Sequence, residues 1–206
     1  MNQGTEEWFL ARMGRVTASR VADAMAKTKA GYGAGRTNYM MELLCQRLTG
    51  NREEGFTSAA MLRGIELEPL ARAAYEVQTG AVVQEVGFVD HPIVEGFGAS
   101  PDGLVGDDGL LEIKCPNTAQ HVACLRSGKP DPKYIKQMQA QMSCTGRAWC
   151  DFASFDDRLP EELQLFTVRV ERDDDLIEEM ENEIIGFLHE LGLMVTELTE
   201  KMRKAA

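Results

Sequence analysis

Three residues in one short stretch have the types and spacing to do chemistry together. They are Asp102, Glu112 and Lys114, within Ser-Pro-Asp-Gly-Leu-Val-Gly-Asp-Asp-Gly-Leu-Leu-Glu-Ile-Lys-Cys at positions 100–115. Two carboxylates and an ammonium on one face of a hairpin are unfavourable unless something uses them. A hard divalent cation is the simplest user, because it takes carboxylate oxygens and keeps waters that leave room for a substrate phosphate. The Ile113 side chain points away in such a strand, which leaves its backbone carbonyl as a further oxygen ligand. Lys114 would then orient an activated water or stabilise charge developing on a phosphate.

The element that must position these groups is the hairpin itself. It reads as two short apolar strands, Leu104–Gly106 and Leu110–Cys115, joined by Asp107-Asp108-Gly109. Gly109 takes the left-handed last position that three-residue loops favour. In that register Gly106 faces Leu110, Leu104 faces Glu112 and Asp102 faces Lys114. Side chains alternate along a strand, so Glu112 and Lys114 share a face, and Asp102 joins them across the pair.

Around the hairpin the periodicity predicts an alternation of helices and strands. Thr5 caps a first helix with Glu6 and Glu7 in its first turn, followed by Trp8, Phe9 and Arg12. Val16-Thr17-Ala18 is an extended link, and Ser19 caps a second helix over 20–26. Residues 27–36, rich in glycine and basic charge, read as a loop, either a connector or a flap that closes over a polyanion. Helices follow over 37–48 and 58–78, the second broken or kinked at Pro69. Strands are expected over 82–90 and 94–99, helices from 117 or 118 to about 126 and over 133–144, and strands over 149–155 and 163–171. A last helix, capped at Asp173–Asp175, carries the apolar stripe Ile177, Met180, Ile184, Phe187, Leu191, Val195, Leu198 and Met202. The order predicts a single α/β domain over 1–206, with one mixed β-sheet flanked by helices.

Composition bounds the function. The chain has 206 residues, 44% hydrophobic and 27% charged, which is ordinary for a globular protein with a substantial core. No stretch approaches the roughly 18 apolar residues of a membrane span, and the first residues lack the pattern of a secretory signal. The five cysteines form no CxxC pair, which favours reduced thiols in a cytoplasmic protein over a disulfide framework or a zinc or iron–sulfur site. A net charge of −11 argues against indiscriminate binding to duplex DNA, but it is unevenly spread. Residues 151–206 hold sixteen acids against six bases, whereas Arg12, Arg15, Arg20, Lys27, Lys29 and Arg36 face only Asp23 in their stretch. A local basic stripe is therefore available for phosphate. The acidic final helix reads as a solvated face.

Pro101-Asp102 with Glu112-Ile113-Lys114 resembles the PD-(D/E)XK nuclease signature. Three further stretches are similar to the phage lambda exonuclease-like, or viral recombinase, family of that superfamily. They are Trp8-Phe9-Leu10-Ala11-Arg12-Met13-Gly14-Arg15-Val16-Thr17-Ala18-Ser19, Arg63-Gly64-Ile65-Glu66-Leu67-Glu68-Pro69-Leu70-Ala71-Arg72, and Tyr134-Ile135-Lys136-Gln137-Met138-Gln139. The resemblance implies a restriction-endonuclease-like core. It also implies Mg²⁺, with Mn²⁺ as a substitute, held by Asp102, Glu112 and the Ile113 carbonyl, with Glu68 serving a second ion. Two ions about 4 Å apart would clamp the attacking and leaving oxygens, while Lys114 and Gln137 position the water. Arg12, Ser19 and Ser100 match a terminal-phosphate pocket, and Trp8 matches an aromatic that contacts DNA.

The activity implied is 5′-to-3′ exonuclease digestion of one strand of linear double-stranded DNA, by a homotrimer that hands the exposed strand to a single-strand annealing protein. It implies a phage-encoded or bacterial protein. A related endonuclease of restriction or repair type and a non-catalytic DNA-end-binding module are the alternatives.

Overall fold

The computed structural model describes residues 2–52 and 58–205. Helix α1 (Glu6–Arg12) starts as its sequence dictates, with the Thr5 hydroxyl accepting from the Trp8 amide at 3.3 Å. Strand β1 (Val16–Thr17) follows, then a 3₁₀ turn (Ala18–Arg20), α2 (Val21–Ala24), β2 (Lys27–Thr28), β3 (Gly31–Tyr32) and α3 (Ala34–Thr49). Next come α4 (Ala59–Thr79), β4 (Val83–Gln84), β5 (Val89–Asp90), β6 (Phe97–Ala99), β7 (Gly103–Val105) and β8 (Gly109–Lys114). The chain closes with α5 (Thr118–Ser127), a 3₁₀ turn (Pro132–Tyr134), α6 (Ile135–Thr145), β9 (Trp149–Phe155), α7 (Glu161–Gln164), β10 (Leu165–Glu171) and α8 (Asp174–Ala205).

The central sheet has the order β10-β9-β8-β7-β4. Its β8–β9 pair is parallel and its other pairs are antiparallel, so the sheet is mixed as expected. A smaller sheet, β1-β6-β5, stands beside it. Alternation along β8 sorts its side chains between two layers. Leu111 and Ile113 pack with Leu67, Ala71 and Tyr75 of α4. Leu110 joins Met138 and Met142 of α6 and the buried stripe of α8, in which Ile184 and Phe187 are fully covered. Each such side chain contributes about 1.5–3 kcal/mol by burial. Glu112 and Lys114 therefore face α6, on the side away from α4.

Several expectations are corrected. The β7–β8 register pairs Gly103 with Leu111, Leu104 with Leu110 and Val105 with Gly109, two residues from the one expected. The left-handed glycine is Gly106, with φ of 55°, and Gly109 lies inside β8. Tertiary contacts set this register. Gly109 pairs with Trp149 of β9, where a Cβ would collide with the indole, and Arg147 donates to the carbonyls of Gly106 and Gly109 at 2.9 and 2.6 Å. A slip of two residues preserves faces, so Asp102 stays beside Glu112 and Lys114.

Ser19 sits inside the 3₁₀ turn and caps nothing; its hydroxyl pairs with that of Thr17 at 3.3 Å. Residues 27–36 are not a loop. They form the β2–β3 hairpin and the start of α3, and the acidic α8 explains why. Lys27 pairs with Glu183, while the buried Arg36 pairs with Glu190 and lies over the Tyr32 ring. The acid of α8 thus neutralises part of the basic stripe rather than facing only solvent. Residues 59–79 make one helix, and Pro69 is tolerated because it lies on the exposed face, where water can satisfy the Ile65 carbonyl. The expected strand over 82–90 divides into β4 and β5, which belong to different sheets. The side chain of Met202 lies outside the described residues. Among the described residues, no helix is long and apolar enough to cross a membrane.

Candidate active site

The structure gathers most of the expected residues around one cavity of about 170 Å³. Its walls include Trp8, Arg12, Ser19, Ser100, Asp102, Glu112, Lys114 and Gln137. Strand β8 delivers Glu112 and Lys114, the segment between β6 and β7 delivers Ser100 and Asp102, α1 delivers Trp8 and Arg12, and α6 delivers Gln137. Glu68 does not line the cavity. It is half-buried on α4 and bound to Arg72 at 2.7 Å.

Glu112 has no exposed surface, so protein groups must satisfy it. Gln137 Nε2 donates to Oε1 at 2.6 Å, the Lys114 ammonium pairs with the same oxygen, and Gln141 Nε2 donates to Oε2 at 2.6 Å. Asp102 Oδ2 accepts from the Ile113 amide at 2.6 Å. Loss of water, and then the charge of Glu112, push the Asp102 carboxyl well above the usual carboxylate range. Burial alone would lower the Lys114 value, but Glu112 and Asp102 outweigh it and hold the side chain as an ammonium. Desolvation also raises Glu68, against the opposing pull of Arg72.

This donor set fits a hard divalent cation. Mg²⁺ is commonly held by one or two carboxylates, with water and substrate phosphate completing its octahedron. Asp102 Oδ1 has no donor among the described residues, and Glu112 Oε2 keeps one lone pair beyond the bond from Gln141. Those two oxygens would hold the ion. Among the described residues no three His, Cys, Asp or Glu side chains converge, so Glu68 does not join Asp102 and Glu112 in one ligand cluster.

The other end of the cavity is built for an anion. Ser100 Oγ accepts from Trp8 Nε1 at 2.9 Å and from Arg12 Nη1 at 3.0 Å. Both lone pairs are then used, and the hydroxyl proton is left to be donated. The Arg12 guanidinium lies 4.1 Å from the centre of the Trp8 ring and has no carboxylate partner among the described residues. Burial brings its pKa down to about 10. A desolvated, unneutralised guanidinium beside a free hydroxyl proton attracts phosphate.

Two residues of this site were not singled out from sequence. Gln141 stands four residues after Gln137, so both reach Glu112 from one helix face; that spacing was the available signal. Gln3 donates to the Pro101 carbonyl at 2.8 Å and ties the N-terminal segment to the residue before Asp102; no pattern announced it. Gln139 points elsewhere, donating to the Glu171 carbonyl and accepting from the Asp173 amide.

Comparison with known proteins places the chain in a family. The YqaJ-like viral recombinase domain matches residues 7–148, more than half of the chain. LHK-Exo solved in complex with dAMP is 60% identical, with a TM-score of 0.93 over 98% of this chain and 100% of that one. LHK-Exo, an alkaline exonuclease from Laribacter hongkongensis, superposes in another structure with a TM-score of 0.92 at the same identity and coverage. A phage-related exonuclease from Haemophilus somnus 129PT, 16% identical, shares the fold with a TM-score of 0.71 over 89% of this chain and 96% of that one. No curated protein sequence matches. With its mixed sheet, its Pro101-Asp102 and Glu112-Ile113-Lys114 pair, and these relatives, the chain belongs to the YqaJ-like viral recombinase family.

Proposed function

We propose that this chain is a Mg²⁺-dependent exonuclease that degrades one strand of linear duplex DNA in the 5′-to-3′ direction from a 5′-phosphorylated end. The observation that carries the reading is the coupling of two sites through one short segment. Ser100 turns its hydroxyl proton toward an anion site shared with Arg12, and Asp102, two residues later, stands with Glu112 and Lys114. A terminal phosphate in the first site places the following phosphodiester at the second.

A divalent cation, when bound, would polarise the scissile phosphate and supply an acidic water. Asp102 and Glu112 would hold the cation. Gln137 and Gln141 fix the Glu112 carboxylate, and the Lys114 ammonium would offset the negative charge that builds on phosphorus. Water oxygen bonds to phosphorus and the P–O3′ bond breaks. The water gives up a proton to solvent, and the departing 3′ oxygen takes one. The products are a 5′-mononucleotide, the class to which the dAMP bound by LHK-Exo belongs, and a strand that again ends in a 5′ phosphate. The Arg12–Ser100 pocket can therefore be used at each step. On the same reading Glu68, outside the cavity and paired with Arg72, would reach a second ion through water, the chain assembles as a homotrimer, and an annealing protein receives the exposed strand.

The deciding experiment digests linear duplex labelled at either end, with Mg²⁺ or with a chelator. Label should leave the 5′ end first and only with the metal. Nicking of a closed circular duplex would sink the exonuclease reading.

A further inference from the structure

A second cavity, of about 510 Å³, opens at the carboxyl ends of the parallel strands β8 and β9. Crevices at that end of parallel strands are where open α/β sheets receive ligands. Its walls combine Tyr134, Phe152, Pro130 and Pro132 with Lys129 and Lys133 at the rim. Tyr134 and Phe152 stack with ring centres 5.6 Å apart. The ammonium groups of Lys114 and Lys133 lie 5.2 and 4.7 Å from the Tyr134 ring centre. Asp131 is the only acidic side chain in the lining, and it pairs with Lys133. In a chain of net charge −11 this local excess of lysine is unusual. Gln120 adds an amide that suits the edge of a base.

The two cavities share one lining residue, Lys114. At about 170 Å³ the first is smaller than the roughly 300–1,000 Å³ of typical ligand pockets, and the second falls within that range. The first therefore has room for the two phosphates, the ions and the terminal sugar that bridges them, but not for a second nucleoside. We propose that the second cavity receives the sugar and base of the nucleotide on the 3′ side of the bond being cut. A strand with its terminal phosphate at Arg12 and Ser100, and its next phosphate at Asp102 and Glu112, runs past Lys114 into this apolar, lysine-rimmed space. The Tyr134 ring, backed by the fully buried Phe152, and the proline faces accept any base, as digestion without sequence choice requires.

This assignment rests on the exonuclease reading, and the experiment separates the two. First-turnover cleavage is measured on 5′-phosphorylated duplexes carrying either a natural base or an abasic residue at the second position. Ala123→Trp and, separately, Ser127→Trp fill the cavity from the exposed face of α5, where neither change disturbs the core. The intact protein should cut the abasic duplex about tenfold more slowly, the equivalent of one lost stacking contact. Either filled variant should cut the natural duplex about tenfold more slowly and lose nothing further with the abasic one. Equal rates for the two duplexes in the intact protein, or unchanged cleavage by both filled variants, would overturn the proposal. Failure to cut either duplex at all would instead overturn the exonuclease reading.

Discussion

Gln141 Nε2 donates to Glu112 Oε2 at 2.6 Å, and neither side chain meets solvent. The other amide atom, Oε1, is buried without a partner among the described residues. A buried amide that gives one bond and leaves an acceptor open is placed to orient the carboxylate and to accept from a group that arrives with substrate or ion. Gln141→Met keeps the volume and removes the donor. Magnesium affinity, read by calorimetry, and kcat should each fall by about 10–100-fold. An unchanged magnesium isotherm would remove Gln141 from the site.

On the proposed reading Asp102 and Lys114 act in cutting and not in holding the end. Asp102→Ala or Lys114→Ala should lower hydrolysis by at least about 10²–10³-fold, the scale of losing a charge-stabilising group. Binding of a duplex end, measured by fluorescence anisotropy, should survive in both. Retained turnover in both variants would refute the assignment of the cutting centre.

At the end pocket, a 5′ hydroxyl in place of the phosphate should slow digestion about tenfold or more, since charge-assisted hydrogen bonds are lost. Arg12→Ala and Ser100→Ala should narrow the difference between the two ends. The hydroxyl that Arg12 and Trp8 orient then has nothing to donate to, or is itself gone. Equal rates for both ends in the unmodified protein would exclude the pocket.

Asp156 gives the fold a pH dependence. Its carboxylate is buried at the end of β9, bonded by Thr118 at 2.6 Å, by Arg158 at 2.7 and 2.9 Å and by Arg63 of α4 at 3.0 Å. Burial opposes ionisation, but the bonds from Arg158 and Thr118 outweigh it and hold the group below the usual carboxylate range. A depressed folded value means that its stabilisation is complete above the unfolded value and disappears as the pH falls through the folded one. Asp156→Asn should be less stable at pH 7 by about 1–3 kcal/mol in urea unfolding. The gap should close on strong acidification, and a gap independent of pH would contradict the role.

Some of this protein could be read without its structure because the signals were local. The Thr5 cap, the strand at Trp149–Phe155 and the shared face of Glu112 and Lys114 follow from side-chain hydrogen bonding and the two-residue period of a strand. The motifs around Asp102 and Arg12 carried the family resemblance for the same reason, since each is contiguous. The residues between them were legible in type but not in use. Ser19 resembled a cap, and residues 27–36 resembled a free basic loop, because nothing local records that α8 returns to pair with Lys27 and Arg36.

Tertiary structure alone decided the β7–β8 register, through Trp149 over Gly109 and the bonds from Arg147. It fixed how Ser100, which the family resemblance had already grouped with Arg12, accepts from both Arg12 and Trp8, ninety residues earlier in the chain, and so keeps its hydroxyl proton for donation. It also set Gln141 against Glu112 and opened a second cavity behind Lys114. The division has a physical basis. Hydrogen bonds and periods within a few residues are encoded where they act, whereas the partner of a buried charge and the space beside it exist only once distant elements pack.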